Sequence, residues 1–586
     1  MTDDPVHLAV VGGGISGLAA AHRLISSAPP ASLRVTVIEA SDRFGGWIRT
    51  ETFAGRPVDF GPDSLLVRTP WAAELCRELR IDDELVAPGV GGALLLSRGK
   101  LRTLPPGILA GLPNGPLPFV RSGLLGPLGL LRAALDLVLP RNAPRGDESI
   151  GALIRRRLGP QALERVIDPL LGGVHAGRTD ELSLAATAPQ IAAAAQADRS
   201  LLRGLRKTAP PAAPAGAAPK PVFMGPRAGM QRITDELVAV LSGVAELRTG
   251  TVVERIEPCS RGPRGAVDGV RLTVRAAAPA GSAPGAAADP STETLDFDGV
   301  ILAVPAAVAA GLVAPHAPAA AATLSELRYA SVVQTALAYD PADLPALPSG
   351  TGFLVPRPEG TVMTACTLLD QKWPERRAAL EAATAGLPEV GHGVGVGAGT
   401  TANAGPADAG IGAVGVAGAA GAGIGAVGAS GPGEPVHGAV DDPAHGLHAH
   451  EPAGSAGAGV VADYVDGDDL RHAVVIKCSA GRVDDHRVDD LTDDQLVDTL
   501  HEELTAVLGP ITGAPIAHRV FRVRGGLPQY APGHLDRIAT ATAEVAGTLP
   551  GLTLTGAAYR GTSVPVCIRE GRAAADAQLA RLLPPA

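Results

Sequence analysis

His7-Leu8-Ala9-Val10-Val11-Gly12-Gly13-Gly14-Ile15-Ser16-Gly17-Leu18-Ala19-Ala20 is the stretch that decides the fold. His7 to Val11 is a short apolar run entering a glycine turn, and Leu18, Ala19, Ala20 and Leu24 continue at helical spacing, so the order is strand, tight turn, helix. Gly12 permits the turn, Gly14 lets a pyrophosphate approach the backbone, and Gly17 allows close helix-to-strand packing. Gly13, Ile15 and Ser16 complete the loop, and the helix N-terminus turns its free N–H groups toward phosphate charge. Glycines in this pattern also shape ordinary βαβ turns. Here, however, a second strand, Arg34 to Ile38, ends in Glu39, about 22 residues beyond Gly17, where a carboxylate meets ribose hydroxyls. An acid at that place favours FAD or NAD over NADP.

Ala40-Ser41-Asp42-Arg43-Phe44-Gly45-Gly46-Trp47-Ile48 follows, a stretch that plain NAD dehydrogenases do not need. It resembles the large FAD oxidoreductases, in which an Arg and a Gly pair accommodate the rest of the flavin nucleotide. The expected cofactor is therefore FAD, with Ala40, Arg43, Gly46 and Trp47 among its contacts.

Length and composition bound the rest. The 586 residues exceed one hydrophobic core, and 46% apolar residues fill two or three. Aromatics are 3% while Gly reaches 74 and Pro 52, so much of the length is Ala/Gly/Pro padding rather than core. A net charge of -10, without a basic run carrying interleaved aromatics, argues against nucleic acid as a partner. Cys76, Cys259, Cys366, Cys478 and Cys567 are scattered without C-x-x-C spacing and read as reduced, buried thiols. Asp3 and Asp4 stand where a signal peptide needs basic residues, and the expectation is a cytoplasmic protein. The most apolar stretch, Leu104 to Leu139, is broken by prolines and by Arg121 and Arg132, so no integral membrane segment is expected.

Four further segments resemble the porphyrinogen oxidase family, the bacterial coproporphyrinogen III oxidases and related protoporphyrinogen oxidases within the amine oxidase superfamily. Asp59-Phe60-Gly61-Pro62-Asp63-Ser64 is similar to the family's G-P-D-S segment beside the flavin. Leu170-Leu171-Gly172-Gly173-Val174-His175-Ala176-Gly177 is similar to a stretch of its helical substrate domain, although His175 stands where relatives often have an aromatic. Thr364-Ala365-Cys366 through Lys372-Trp373-Pro374 resembles a flavin-contacting Trp region. Thr555-Gly556-Ala557-Ala558-Tyr559-Arg560-Gly561-Thr562-Ser563-Val564-Pro565-Val566-Cys567-Ile568 resembles the tail that closes the flavin site, with a helix beginning near Pro565.

The resemblance implies an α/β fold, α+β overall: a discontinuous Rossmann-like FAD-binding domain with a mixed-sheet substrate domain and a helical domain. Blocks 1–65, 222–310 and 518–586 are expected to form the FAD domain, 66–100 and 311–517 the substrate domain, and 101–207 the helical domain. Linkers are expected at 208–220 and 276–290. Residues 378–460 lack caps and periodicity and read as a disordered low-complexity insertion. His437, His445, His448 and His450 fall in it and read either as a metal cluster or as tolerated low-complexity sequence.

The resemblance further implies six-electron oxidation of coproporphyrinogen III by FAD and molecular oxygen, with release of hydrogen peroxide, in haem biosynthesis. The flavin carries the redox chemistry, so no catalytic side chain and no metal is expected. Flavin contacts are expected from Gly12, Gly13, Gly14, Ile15, Ser16, Gly17, Glu39, Ala40, Arg43, Gly46, Trp47, Gly61, Pro62, Asp63, Ser64, the Val253 backbone, Trp373, Gly556, Thr562, Ser563 and Val564. Propionates need cations, and Arg68, Arg178 and Arg524 are the candidates, each also readable as a solvated surface arginine. A transient contact with the next haem-pathway enzyme is expected as well. Protoporphyrinogen IX oxidation, an amine or carotenoid-type FAD oxidase, and a porphyrin carrier without turnover are the competing readings.

Overall fold

The structure is a computed structural model that describes residues 5–29, 32–89, 92–104, 108–109, 112–113, 120, 122–140, 146–209, 221–260, 269–277, 292–384 and 469–583. Five short strands build the parallel sheet that carries the glycine turn: β1 (Val6–Val11), β2 (Leu33–Ile38), β3 (Glu246–Arg248), β4 (Gly299–Leu302) and β5 (Leu552–Leu554), in the order β3-β2-β1-β4-β5. Parallel strands buried on both faces need near-continuous apolar runs, and β1 and β4 are such runs. The helix α1 (Ile15–Ser27) leaves β1 through the turn and packs on the tail helix α2 (Val564–Leu582).

A seven-stranded sheet forms the second unit, in the order Ala517–Pro528, Tyr329–Tyr339, Val474–Ala480, Met363–Leu368, Gly352–Leu354, Ala93–Ser97 and Lys100–Thr103. The segments Arg328 to Tyr339, Gly352 to Val355 and Ala473 to Cys478 alternate or run apolar, a pattern that predicts strands, and each contributes one to this sheet. By its hydrogen bonds to Tyr329–Tyr339, the strand Ala517–Pro528 also belongs here. The boundary placed at residue 518 therefore falls one strand too early, because one long strand running off the edge of a sheet leaves no linker composition to mark it. A three-stranded antiparallel sheet, Thr251–Cys259, Gly269–Ala276 and Glu293–Phe297, flanks the parallel one.

Helices Ile150–Arg157, Pro189–Ala197 and Leu201–Thr208 enclose a third core with Leu153, Ile154, Val166 and Leu202. Asp136 is buried at its centre, accepting from Arg157 Nε at 2.6 Å, Ser200 Oγ at 2.7 Å and the Leu202 N–H at 3.0 Å. The apolar run over Ala162 to Leu171 fits an ordinary helix, but Leu163–Gly172 is a π-helix containing Pro169. Ten residues are too few to separate the two periods, and a proline removes the N–H that an α-helical bond would use. On the outside, Leu128, Leu131, Leu135 and Val138 form an exposed apolar stripe. Among the described residues no helix is long and apolar enough to cross a membrane.

The insertion expected from residue 378 begins later than that, because Pro374–Thr384 is helical. Residues 385–460, with the four histidines, lie outside the described residues, as do most of the two linkers.

Candidate functional site

The site begins at the end of β1. Gly12 donates its N–H to Ile38 O at 2.7 Å and takes φ +104°, and a Cβ there would lie 2.4 Å from Ala303 O, so both conformation and space demand glycine. At Gly17 a Cβ would meet Gly12 O at 1.9 Å, which is how the helix comes tight against the strand. Gly14 is different. A Cβ on it would meet nothing within 4 Å, so the backbone faces open space where α1 begins. No acidic residue stands in the first turn and no side chain caps it, which leaves the first-turn N–H groups, including those of Ile15 and Ser16, for an anion.

Glu39 sits beside this opening. Its Oε2 accepts from Gly13 N at 2.6 Å, and its Oε1 accepts from Ser41 N and Ser41 Oγ, both at 2.8 Å. The carboxylate is thereby fixed at the loop, next to Ala40. Arg43 spans the following turn, donating to Gly46 O at 3.0 Å and Ile48 O at 2.9 Å, and burial holds its guanidinium below its ordinary pKa. Gly45 N donates to Gly13 O at 2.8 Å, and a Cβ on Gly46 would lie 3.2 Å from Gly14 Cα. The glycine pair is thus the second wall of the same groove.

Trp47 leads to the next wall. A Cβ on Gly61 would sit 1.9 Å from Trp47 O, so Gly61-Pro62-Asp63-Ser64 lies directly against it, while the Trp47 ring remains 41% exposed beside Gly526. From the far end of the chain, Gly556 (φ +127°) turns into the tail, with open space where its Cβ would be. Thr562 and Ser563 then start α2, which has Pro565 in its first turn and no acid there. A Cβ on Gly571 would lie 2.1 Å from Ser16 O, so the two helices cross at van der Waals contact. Two helix N-termini, Glu39 and two glycine walls therefore converge on one groove, a donor set suited to a dinucleotide with its ribose and phosphates.

Two expectations change on this geometry. Trp373 is only 1% exposed: Arg376 and Lys372 lie over its ring at 4.6 and 5.7 Å, and Gly225 packs against its edge. It has no open face for a flavin and stands behind Asp63, because cations flank it where a ligand would have to stack. Arg178 is held by Asp484 at 3.1 Å and Glu181 at 3.9 Å, so it is not a free cation for a propionate. Arg68 and Arg524 are exposed and make no ion pair among the described residues. Val253 is buried in the flanking sheet at a shift of register, opposite Val274.

The sequence reading missed the cations behind Asp63. Lys372 Nζ donates to Asp63 Oδ2 at 2.7 Å and Lys477 Nζ lies 3.4 Å from the same oxygen. Burial opposes ionisation of Asp63, but the two lysines outweigh it and hold the carboxyl well below the usual carboxylate range. Lys477 is the single charge in the strand Val474–Ala480, flanked by Val474, Val475 and Ile476, and that isolation was the available signal.

The model of the family described as flavin containing amine oxidoreductase matches residues 15–382 and 444–579. The coproporphyrinogen III oxidase of Bacillus subtilis is 28% identical over 99% of this chain and 100% of its own length. That of Mycobacterium leprae is 34% identical over 62% of this chain and 73% of its own. A solved structure from Exiguobacterium sp., assigned as a protoporphyrinogen oxidase, superposes with a TM-score of 0.68 at 24% identity, covering 97% of this chain and 98% of that one.

Proposed function

The chain belongs to the flavin containing amine oxidoreductases, and we propose that within them it is an FAD-dependent coproporphyrinogen III oxidase. The observation that carries the substrate is the end-to-end likeness to a coproporphyrinogen III oxidase. The groove of glycine walls and helix N-termini carries the cofactor. FAD held in that groove would supply a two-electron acceptor for the methylene bridges, with oxygen regenerating it and released as hydrogen peroxide. Three such oxidations, each removing a hydride and a proton, with tautomerisation converting the fourth bridge, would turn a porphyrinogen into a porphyrin.

The chain's own residues bind and orient. We place the phosphates at the N–H groups of Gly14 to Gly17 and of the α2 N-terminus, and a ribose at Glu39. Gly46, Trp47 and Gly61 to Ser64 hold the flavin end, with Gly556 and Thr562 to Val564 closing it. Lys372, Trp373 and Arg376 form a dry wall behind Asp63 that excludes water from that side. Arg68 and Arg524, exposed and unpaired among the described residues, are the cations left for propionates. A transient contact with the next haem-pathway enzyme, in the cytoplasm, is part of the same proposal.

Anaerobic mixing of the purified yellow protein with coproporphyrinogen III tests the reading. The flavin absorbance is expected to bleach, and admitting air is expected to restore it with coproporphyrin fluorescence and stoichiometric peroxide. Bleaching by amines but not by porphyrinogen would assign an amine oxidase, and porphyrin binding without bleaching would assign a carrier.

A further inference from the structure

Asp63, Lys372 and Lys477 come from three distant segments and meet in a dry cluster. Besides its approach to Asp63, Lys477 Nζ donates to the Asp59 carbonyl oxygen at 2.8 Å. Arg376 Nη1 donates to Asp59 Oδ2 at 2.9 Å, while Asp59 Oδ1 accepts from Thr50 Oγ1 at 2.6 Å and Met230 N at 2.8 Å. Lys372 is 5% exposed, and Lys477 and Arg376 are each 3% exposed. The network therefore holds three cations, Lys372, Lys477 and Arg376, against two carboxylates, Asp59 and Asp63. Among the described residues, one positive charge of this network has no carboxylate counterpart.

A buried charge without a partner is strongly disfavoured, so the surplus calls for an anion from outside the chain. Burial, with the nearby Lys372 ammonium, holds the Lys477 ammonium below its ordinary pKa although Asp63 and Asp59 oppose them, so an anion nearby would favour its charged form. The direction of the missing anion is given by the walls. Asp63 belongs to the segment that starts at Gly61, Gly61 packs on Trp47 O, and Gly46 packs on Gly14. The cluster thus backs the far end of the dinucleotide groove. Solvent is shut out on the other side by Trp373, whose Nε1 is buried without a hydrogen-bond partner, and by Gly225.

We propose that the Asp63–Lys372–Lys477 cluster tunes the flavin: its surplus positive charge favours the electron-rich reduced cofactor over the oxidised one and so raises the reduction potential. This rests on the flavin reading above. Lys372 and Lys477 act through Asp63 and do not touch the reacting atoms, so they are positioning residues, and charge placed near a flavin ring is a recognised way for a protein to set its electronics.

The test uses purified holoenzyme and a redox titration of the bound FAD against a reference dye. Lys477→Met is expected to weaken binding of reduced relative to oxidised FAD about tenfold, a fall of about 30 mV for a two-electron couple. Asp63→Asn is expected to move the potential the opposite way, and Lys477→Arg to restore it. Opposite signs separate tuning from damage, because a loosened site moves both variants toward free flavin. Bound FAD with an unmoved potential, or shifts of the same sign, would overturn the proposal alone. A raised KM for coproporphyrinogen with the potential unchanged would overturn it in favour of substrate binding. Wild-type protein that neither carries nor takes up FAD would instead sink the flavin reading beneath it.

Discussion

Arg376 Nη1 donates to Asp59 Oδ2 at 2.9 Å between side chains that are 2% and 1% exposed. The same guanidinium donates to Pro226 O at 3.0 Å, so one side chain ties Pro374–Thr384 to two segments of the dinucleotide-binding unit. Removing one partner of such a pair leaves the other charged and buried. Arg376→Met is therefore expected to cost about 3 to 5 kcal/mol of stability, and the double variant with Asp59→Asn to recover part of it. Urea unfolding of the variants measures both, and a single-variant loss under about 0.5 kcal/mol would show that the pair holds nothing together.

Gly14 and Gly17 are expected to fail in different ways. The open space at Gly14 means that Gly14→Val keeps the fold but fills the room a pyrophosphate needs, giving a colourless protein with near-normal unfolding. Gly17→Ala forces a methyl against Gly12 O and is expected to destabilise the whole unit. Flavin content and melting temperature, measured on both, distinguish them. A Gly14→Val protein that retains stoichiometric FAD would show that the site is misplaced.

The dinucleotide half was legible because its signals are local: β1, the turn, α1 and Glu39 lie within one short span, and each residue's job follows from its neighbours. What the sequence hid was assembled at long range. Lys372 reaches Asp63 across 309 positions and Lys477 across 414, and no spacing rule connects them. Arg178 looked like a free cation because Asp484, which neutralises it, is 306 positions away. Trp373 was sought at the flavin from its motif, yet its flanking Lys372 and Arg376 enclose the ring. The π-helix at Leu163–Gly172 escaped because apolar spacing over ten residues fits both periods.

His175 supplies a pH prediction. Burial lowers its pKa from 6.5 to about 4, so the folded protein keeps it neutral while the unfolded chain takes up a proton first. Stability present above about pH 6.5 is therefore lost as pH falls toward about 4, by about 3 kcal/mol from this group. His534, also lowered to about 4 chiefly by burial, titrates in the same window. His175→Phe is expected to remove its share of the acid slope and leave that of His534. An unchanged slope of unfolding free energy between pH 6.5 and 4 in that variant would refute the assignment to His175.

Deleting residues 385–458 is expected to leave activity within a few fold. The described flanks meet: a Cβ on Gly55 would lie 3.1 Å from Leu380 and 3.3 Å from Arg471, so a short linker spans them. Arg56 also holds the far flank, donating to Arg471 O at 3.2 Å and Ala473 O at 2.7 Å. Closure entropy changes slowly with loop length, so shortening the connection costs little. Loss of flavin or of folding in the deletion variant would show that the segment is structural.

The last prediction concerns which porphyrinogen is used. Coproporphyrinogen III has four propionates, whereas protoporphyrinogen IX has two propionates and two vinyls, so the former draws more on cations at the pocket mouth. Of the three arginines considered, Arg178 is already paired, which leaves Arg68 and Arg524. Arg68 lies four positions after Ser64 in the segment that walls the groove. A guanidinium there would anchor a carboxylate equally in ground and transition states, so Arg68→Ala is expected to raise KM about tenfold and leave kcat nearly unchanged. Protoporphyrinogen IX, oxidised at the same bridges, is expected to react with a lower kcat/KM and to lose less on that substitution. Steady-state kinetics with both substrates, without detergent, measures all of this. A higher kcat/KM for protoporphyrinogen IX would reassign the substrate, while an unchanged KM in Arg68→Ala would remove only that residue from the pocket and shift the anchoring role to Arg524.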